Sequence, residues 1–175
     1  MRVYAAGFSA GVAMVIRLMH EIPTQIAGAA LMSATQPVAE NFMATGAAPL
    51  ARPIVLFHGT ADPLVPYQGG MASLWGFRPR GLGLSAPRTA EYYAQRNGIT
   101  QKPESRRLDA ADSSGKTSIE RTDYRQVGHD PVTLYTVHGG SHIIPGPKKA
   151  PHIMGRSTPN LVAADVIADF FNIAT

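Results

Sequence analysis

The segment Arg2-Val3-Tyr4-Ala5-Ala6-Gly7-Phe8-Ser9-Ala10-Gly11-Val12 decides the fold of this 175-residue chain. It opens with a short apolar run, Val3–Ala6, that predicts a strand. The residues Ala10–His20 that follow are apolar nearly all round, which predicts a helix buried on most sides. A serine flanked by glycines therefore stands where a strand turns sharply into a helix. A nucleophile elbow of the form G-x-S-x-G requires this context.

The elbow predicts Ser9 as a nucleophile. On such a turn the serine hydroxyl projects above the edge of the sheet. We expect no room for a side chain at Gly7 and Gly11, because strand and helix approach each other closely there. The helix N-terminus adds a positive end and free N–H groups. We therefore predict the backbone N–H of Ala10 as one donor to an oxyanion.

Composition bounds the class of protein. With 45% hydrophobic and 16% charged residues, the chain is too apolar for intrinsic disorder. It has no cysteine, which excludes disulfides, thiolate metal sites and cysteine nucleophiles. No apolar run reaches about 18 residues, so we expect no membrane span. The length predicts one domain over residues 1–175.

The net charge of +4 raises the question of a nucleic-acid partner. The whole excess falls between Gly76 and Arg125, where ten basic residues face six acidic ones. Nucleic-acid surfaces usually add denser clustering and a recognisable motif, and neither is present. We therefore predict a solvated arginine-rich surface and no nucleic-acid partner.

The rest of the chain alternates apolar runs with helical stretches, which is typical of an α/β fold with a mostly parallel sheet and flanking helices. Predicted strands cover Ile26–Ala34, Pro53–His58, Ile119–Val127 and Val132–Val137, the last two forming a hairpin. Predicted helices cover part of Pro37–Ala51, then Pro87–Asn97 and Asn160–Ile173, with Asn160 as N-cap. Leu74–Pro87 is predicted to be a loop and Gln101–Lys116 an exposed polar stretch.

A serine nucleophile needs a base and an acid that orients the base. In elbow proteins the chain order is serine, acid, histidine. Asp62 follows the strong strand Pro53–His58, so its carboxylate is expected at the carboxyl end of a parallel strand, where open α/β sheets place their sites. The alternative interpretation is a turn aspartate, because Asp-Pro often starts a turn.

His142 is the predicted base. It follows the strand Val132–Val137 through Gly139-Gly140, and these glycines let the loop turn back over the sheet edge. A histidine there could reach Ser9 with one ring nitrogen and Asp62 with the other. Structural roles are expected for the other five histidines, which are His20, His58, His129, His138 and His152.

Three segments together resemble α/β-hydrolases of the polyhydroxybutyrate depolymerase and feruloyl esterase type. They are Arg2–Gly11, His58-Gly59-Thr60-Ala61-Asp62 with Val65-Pro66-Tyr67, and Gly139-Gly140-Ser141-His142 with Pro145-Gly146. The resemblance implies Ser9 as nucleophile, His142 as base and then acid, and Asp62 as orienter. It further implies hydrolysis of carboxylic esters through an acyl-enzyme, without a metal or organic cofactor. Members of this family are often exported, and they act on polyesters, plant polysaccharide esters or small esters.

The position of Ser9 departs from that family's pattern. Several strands precede the elbow in the fold, and a loop after one of them supplies a second oxyanion N–H. Only eight residues precede Ser9 here. We therefore expect the C-terminal part of an α/β-hydrolase fold with the early strands missing and an open sheet edge. A truncated reading frame, a fragment that needs a second chain or oligomer, and a short protein without catalysis are the alternatives.

A serine ester hydrolase is the first functional hypothesis, with a serine peptidase or acyltransferase as alternatives within the same fold. The alternative from another class is a noncatalytic remnant that binds a ligand or a partner chain. Tyr67, Trp75 and Phe77 could line a substrate cleft near the Asp62 loop, or they could pack beneath it. The loop Gly76–Pro87 could act as a lid.

Overall fold

A computed structural model describes residues 2–43, 49–74, 77–108, 116–147 and 155–173. Its main sheet has six strands, which are β1 (Tyr4–Phe8), β2 (Gly28–Met32), β3 (Ile54–Gly59), β6 (Glu104–Leu108), β7 (Ser118–Tyr124) and β8 (Val132–His138). Their order across the sheet is β1-β2-β3-β8-β7-β6. The first four in spatial order are parallel, and β7 and β6 continue the sheet antiparallel. The predicted mostly parallel α/β fold is confirmed, as is the β7–β8 hairpin.

Helices cover both faces of the sheet. The helices α1 (Ala10–Glu21) and α2 (Ala86–Arg96) pack on one face, where Ile16, Leu56 and Tyr93 belong to one buried cluster. Residues of α3 (Ala163–Phe170) and the adjoining Phe171 pack on the other face against Phe57. Burial on both faces explains why β2 and β3 read as continuous apolar runs instead of alternating ones.

The parallel strands bring their carboxyl ends to one edge of the sheet. Ser9 follows β1, Ser33 follows β2, the Asp62 loop follows β3 and the His142 loop follows β8. The neighbouring strands β3 and β8 stay in register to their ends, with Gly59 opposite Val137. Loops leaving these strands are therefore adjacent from their first residue.

The prediction of a loop over Leu74–Pro87 is wrong. This segment contains β5 (Phe77–Gly83), which pairs antiparallel with β4 (Gly70–Leu74) in a separate two-stranded sheet. Pro79 lacks an N–H and is tolerated because it lies at a register irregularity of this two-stranded hairpin. In the predicted exposed stretch Gln101–Lys116, the described residues 101–107 are exposed, and the stretch also includes the edge strand β6, which its polar sequence did not predict.

Three helix expectations also need correction. Within the described part of Pro37–Ala51 there is only a 3-10 turn, Ala39–Asn41, and the backbone N–H of Val38 bonds to Leu82 of the hairpin instead. Helix α1 is buried on one face only, since Met14 is 58% exposed. Asn160 does not cap α3, because that helix starts three residues later, at Ala163, with Val162 as its N-cap.

β1 is the terminal strand of the sheet in the part of the chain that the structure describes, as the open-edge prediction required. Within the described sheet β1 therefore has one neighbouring strand, β2, and Ser9 follows β1 directly. No helix among the described residues has the length and apolar character needed to cross a membrane.

Candidate active site

Ser9 occupies a strained turn between β1 and α1. Its backbone has φ 53° and ψ −122°, a region that residues other than glycine rarely adopt and that costs about 1–3 kcal/mol. The Ser9 N–H donates to the carbonyl of Met32 at 2.9 Å, which fixes the turn to the end of β2. The conformation is the one predicted for an elbow, and it leaves the Ser9 side chain partly exposed.

The two glycines of the elbow are not equivalent. A Cβ at Gly7 would come within 2.6 Å of the Gly11 carbonyl group and 2.7 Å of the Val12 nitrogen, so the helix start leaves no room for a side chain. A Cβ at Gly11 would meet no atom of the described residues within 4 Å. The predicted close approach is therefore confirmed at Gly7 and is wrong at Gly11.

Asp62 lies on a tight loop after β3, and its side chain is fully buried. Its Oδ1 accepts hydrogen bonds from the backbone N–H groups of Leu64 and Val65, both at 2.9 Å. Its Oδ2 lies 2.8 Å from Nδ1 of His142. Asp62 thus caps its own turn with one oxygen, as the turn interpretation predicted, and contacts a histidine with the other.

The His142 loop is anchored to the Asp62 loop by backbone contacts. The Ala61 N–H donates to the carbonyl of Gly140 at 2.8 Å, and the Gly139 N–H donates to Thr60 Oγ1 at 2.9 Å. A Cβ at Gly59 would lie 2.3 Å from that same Gly140 oxygen. The absence of a side chain at Gly59 therefore allows the two loops to approach each other.

The contact with Asp62 sets the tautomer of His142. An ionised carboxylate only accepts hydrogen bonds, so Nδ1 of His142 carries the hydrogen. In the neutral ring the lone pair is then on Nε2, the nitrogen available to accept a proton. His142 is 4% exposed, and its orientation is fixed by the buried Asp62.

The elbow and the His142 loop are connected by contacts of Phe8 and Ser33. The ring of Phe8, which precedes Ser9, lies 5.0 Å from the His142 ring, centroid to centroid. Ser33 Oγ at the end of β2 donates to the carbonyl of Ile143 at 3.4 Å, so this loop passes over the strand between β1 and β3. Among the described residues no hydrogen bond joins Ser9 Oγ to His142. Catalytic hydrogen bonds are often long without substrate and tighten when it binds.

Three further described histidines, His20, His129 and His138, have structural contacts, as expected. His20 bonds through Nδ1 to the carbonyl of Ile16 at 2.7 Å, and burial lowers its pKa. His129 bonds through Nδ1 to the carbonyl of Asn97 at 2.7 Å, and His138 lies 3.4 Å from a carboxylate oxygen of Glu120. His152 lies outside the described residues.

Tyr67 is the one predicted substrate-binding aromatic whose side chain falls within the described residues. Tyr67 is half-buried, its hydroxyl lies 2.8 Å from Thr136 Oγ1, and burial raises its pKa. These contacts favour packing beneath the Asp62 loop, the alternative that the sequence left open. Trp75 lies outside the described residues, and the Phe77 side chain is likewise not described.

The predicted oxyanion donor is the backbone N–H of Ala10. Ala10 is the first residue of α1, where a backbone N–H has no partner within its own helix and stays available to an anion.

Over the described ranges, no three histidine, aspartate or glutamate side chains gather in a group that could hold a metal ion.

Sequence reasoning did not assign site roles to Phe8 and Ser33, which connect the elbow to the His142 loop. Phe8 occupies one of the two variable positions of the motif, and Ser33 simply follows a strand. Ser33 has φ 54° and is 1% exposed, which are features of a structure and not of a sequence pattern. Only its place after a buried strand could have pointed to it.

Comparison with known proteins adds two matches. The profile of a family described as Phospholipase/Carboxylesterase matches residues 1–74, which hold both Ser9 and Asp62. A protein of Nocardia uniformis subsp. tsuyamanensis, described as "Putative esterase NocK", is 31% identical over 177 residues and aligns with 96% of this chain. The mixed α/β architecture, with its mostly parallel sheet and flanking helices, is consistent with an α/β-hydrolase fold. Both matches support an esterase family within it.

The chain spans about half the length of the curated relative it matches, since the alignment covers 50% of that protein. The alignment nevertheless extends over nearly the whole described structure, including the loop that carries His142. The matches support the broad esterase assignment and do not distinguish the polyhydroxybutyrate depolymerase and feruloyl esterase subfamily.

Proposed function

We propose that the protein is a serine hydrolase of carboxylic esters that works through an acyl-enzyme. One observation carries the proposal: the buried 2.8 Å contact between His142 Nδ1 and Asp62 Oδ2 lies at the sheet edge where the strained Ser9 turn ends. A buried carboxylate that orients a histidine beside a serine elbow is the arrangement that activates a weak hydroxyl nucleophile.

The proposed reaction assigns one role to each group. Ser9 Oγ attacks the ester carbonyl carbon while Nε2 of His142 takes the hydroxyl proton, and Asp62 stabilises the imidazolium that forms. The Ala10 N–H donates to the developing oxyanion. The tetrahedral intermediate collapses, His142 returns the proton to the departing alcohol, and the acyl-enzyme remains. Water then attacks the acyl carbon, again with His142 as base, and releases the acid and free Ser9.

The finer proposal is an ester of the polyhydroxyalkanoate, feruloyl or acetyl-xylan type. It rests on the sequence resemblance carried by His58–Asp62 with Val65–Tyr67 and by Gly139–His142. A panel of a 3-hydroxybutyrate oligomer, methyl ferulate and acetylated xylan, read against p-nitrophenyl acetate, tests it. Turnover of p-nitrophenyl acetate without turnover of any of the other three would contradict the finer proposal and leave the broad one standing.

A fluorophosphonate probe tests the broad proposal. We expect the purified chain to be labelled, Ser9→Ala to lose the label, and Ser105→Ala to keep it, because Ser105 lies on the edge strand β6, where its hydroxyl contacts Thr122. Release of p-nitrophenol from p-nitrophenyl acetate should likewise be lost in Ser9→Ala and retained in the wild type and the control variant. A folded, soluble chain that takes up no probe would overturn catalysis by this chain and favour the noncatalytic, ligand-binding or partner-dependent alternative.

A further inference from the structure

His58 is a buried imidazole beside the candidate site, and the proposed chemistry does not use it. It is the second-last residue of β3, and its side chain is 2% exposed. Its Nε2 lies 3.0 Å from the carbonyl oxygen of Val65 and 3.5 Å from Oδ2 of Asp62. A second histidine is therefore directed at the same carboxylate oxygen that holds His142.

The hydrogen-bond partner of His58 fixes its tautomer. A carbonyl oxygen accepts and never donates, so Nε2 of His58 carries the hydrogen. Val65 is also one of the two residues whose N–H donates to Asp62 Oδ1. His58 thus holds the carbonyl of the residue whose N–H holds Asp62, and it ties the whole turn to the end of β3.

His58 supplies this contact without a permanent positive charge. Burial is the largest influence and lowers the pKa of His58, whereas the Val65 carbonyl and the Asp62 charge raise it and His142 lowers it further. The net effect favours the neutral ring. A neutral donor leaves the charge of Asp62 available to the imidazolium of His142, while a lysine or arginine at this place would form a competing ion pair.

We propose that His58 is a positioning residue that acts through Asp62: its Nε2–H holds the Asp62–Val65 turn and thereby fixes the orientation of His142. The inference rests on the proposed function for its effect on turnover. Its structural part, the tautomer of His58 and its influence on the His142–Asp62 bond, does not depend on turnover. Both parts can therefore be measured separately.

The first experiment is NMR of the wild-type chain with ¹⁵N-labelled histidine. We expect His58 as the neutral Nε2–H tautomer at pH 7 and a downfield Nδ1 proton on His142. Observation of His58 as the Nδ1–H tautomer would overturn the proposal without any variant, whether or not the chain hydrolyses esters.

Two variants then separate donation from packing. Glutamine carries an N–H at the same number of bonds from Cα as Nε2 of histidine, while phenylalanine fills the volume with no donor. We expect His58→Phe to move or broaden the His142 Nδ1 proton signal and to lower kcat roughly 10–100-fold with little change in KM, as misplacement of a catalytic group does. His58→Gln should restore most of both.

His20→Phe is the matched control, because it removes another histidine of lowered pKa whose hydrogen bonds go to Ile16 and Tyr92 and not to the site. It should lower thermal stability and leave kcat unchanged. A folded His58→Phe chain with an unmoved His142 signal and unchanged kcat would overturn the proposal, as would a His58→Gln chain as impaired as His58→Phe. If the wild type hydrolyses esters no faster than Ser9→Ala, the proposed function fails, and the NMR result alone decides the role of His58.

Discussion

His142 Nδ1 lies 2.8 Å from Asp62 Oδ2, although 80 residues separate them along the chain. The sheet explains this closeness, because β3 and β8 are parallel neighbours whose ends are in register. Each side chain needs only a short loop to reach the other. The hydrophobic residues that place β3 beside β8 therefore also assemble the candidate site.

Asp62→Asn tests whether this contact sets the tautomer of His142. Asparagine keeps an Oδ1 for the Leu64 and Val65 N–H groups, so the turn should survive and the melting temperature should change little. An amide nitrogen facing Nδ1 would favour the wrong tautomer and lower kcat about 10⁴-fold. Steady-state hydrolysis of p-nitrophenyl acetate measures this, and a variant within tenfold of wild type would contradict the assigned role.

The sequence predicted the elements that position the site, and the reasons are local. The strand-to-helix switch around Gly7–Gly11 and the apolar run Pro53–His58 both depend on side-chain period and length, which are readable from one sequence. The bonds from Ser33 to Ile143 and from His58 to Val65 depend on three-dimensional neighbours. No periodicity encodes them, so they required the structure.

The errors have a common physical cause in tertiary context. The hairpin β4–β5 forms from a segment rich in glycine, proline and arginine. Its second strand is held by the N–H of Val38 and by the bridge between Pro37 and Gly83, which attach it to the segment that follows β2. The apolar outer face of α1 predicted burial that the described residues do not provide, as the exposed Met14 demonstrates. Local preference alone could not distinguish these outcomes.

Gly7→Ala and Gly11→Ala form a matched pair within one motif. The methyl at position 7 would collide with backbone at 2.6 Å, which neither neighbour can avoid by a rotamer change, and should cost about 1–3 kcal/mol or more. The methyl at position 11 meets nothing within 4 Å in the described chain and should be neutral, or stabilising by up to about 1 kcal/mol in a helix. Urea unfolding measures both, and equal losses would contradict the difference in packing.

Gly59→Ala should separate the two loops of the site. Its Cβ would lie 2.3 Å from the Gly140 oxygen and 2.6 Å from the Ser141 oxygen, so the His142 loop must shift away from Asp62. We expect a fall in kcat/KM of about 10²-fold, because catalytic geometry tolerates little displacement. Gly146→Ala is the control, since its Cβ meets no described atom within 4 Å, and it should keep full activity. Similar activities in both variants would show that the loop contact is dispensable.

Acid should destabilise the fold through His20 and His58. Burial is the first cause in both cases, and it lowers each pKa below the ordinary value of 6.5. The folded chain therefore binds fewer protons than the unfolded chain between the lowered pKa values and 6.5, so stability rises with pH across that window. It is fully present above about pH 6.5 and is lost as the pH falls toward the folded values.

Urea unfolding at pH 7.5, 6.5 and 5.5 measures this effect, with a falling midpoint and a constant slope as the expected result. The variant His20→Gln should lose less stability than wild type between pH 7.5 and 5.5, because it removes one group that must be kept neutral in the fold. An equal loss in this variant would assign the acid sensitivity to other groups. A midpoint that rises on acidification would contradict the lowered pKa values themselves.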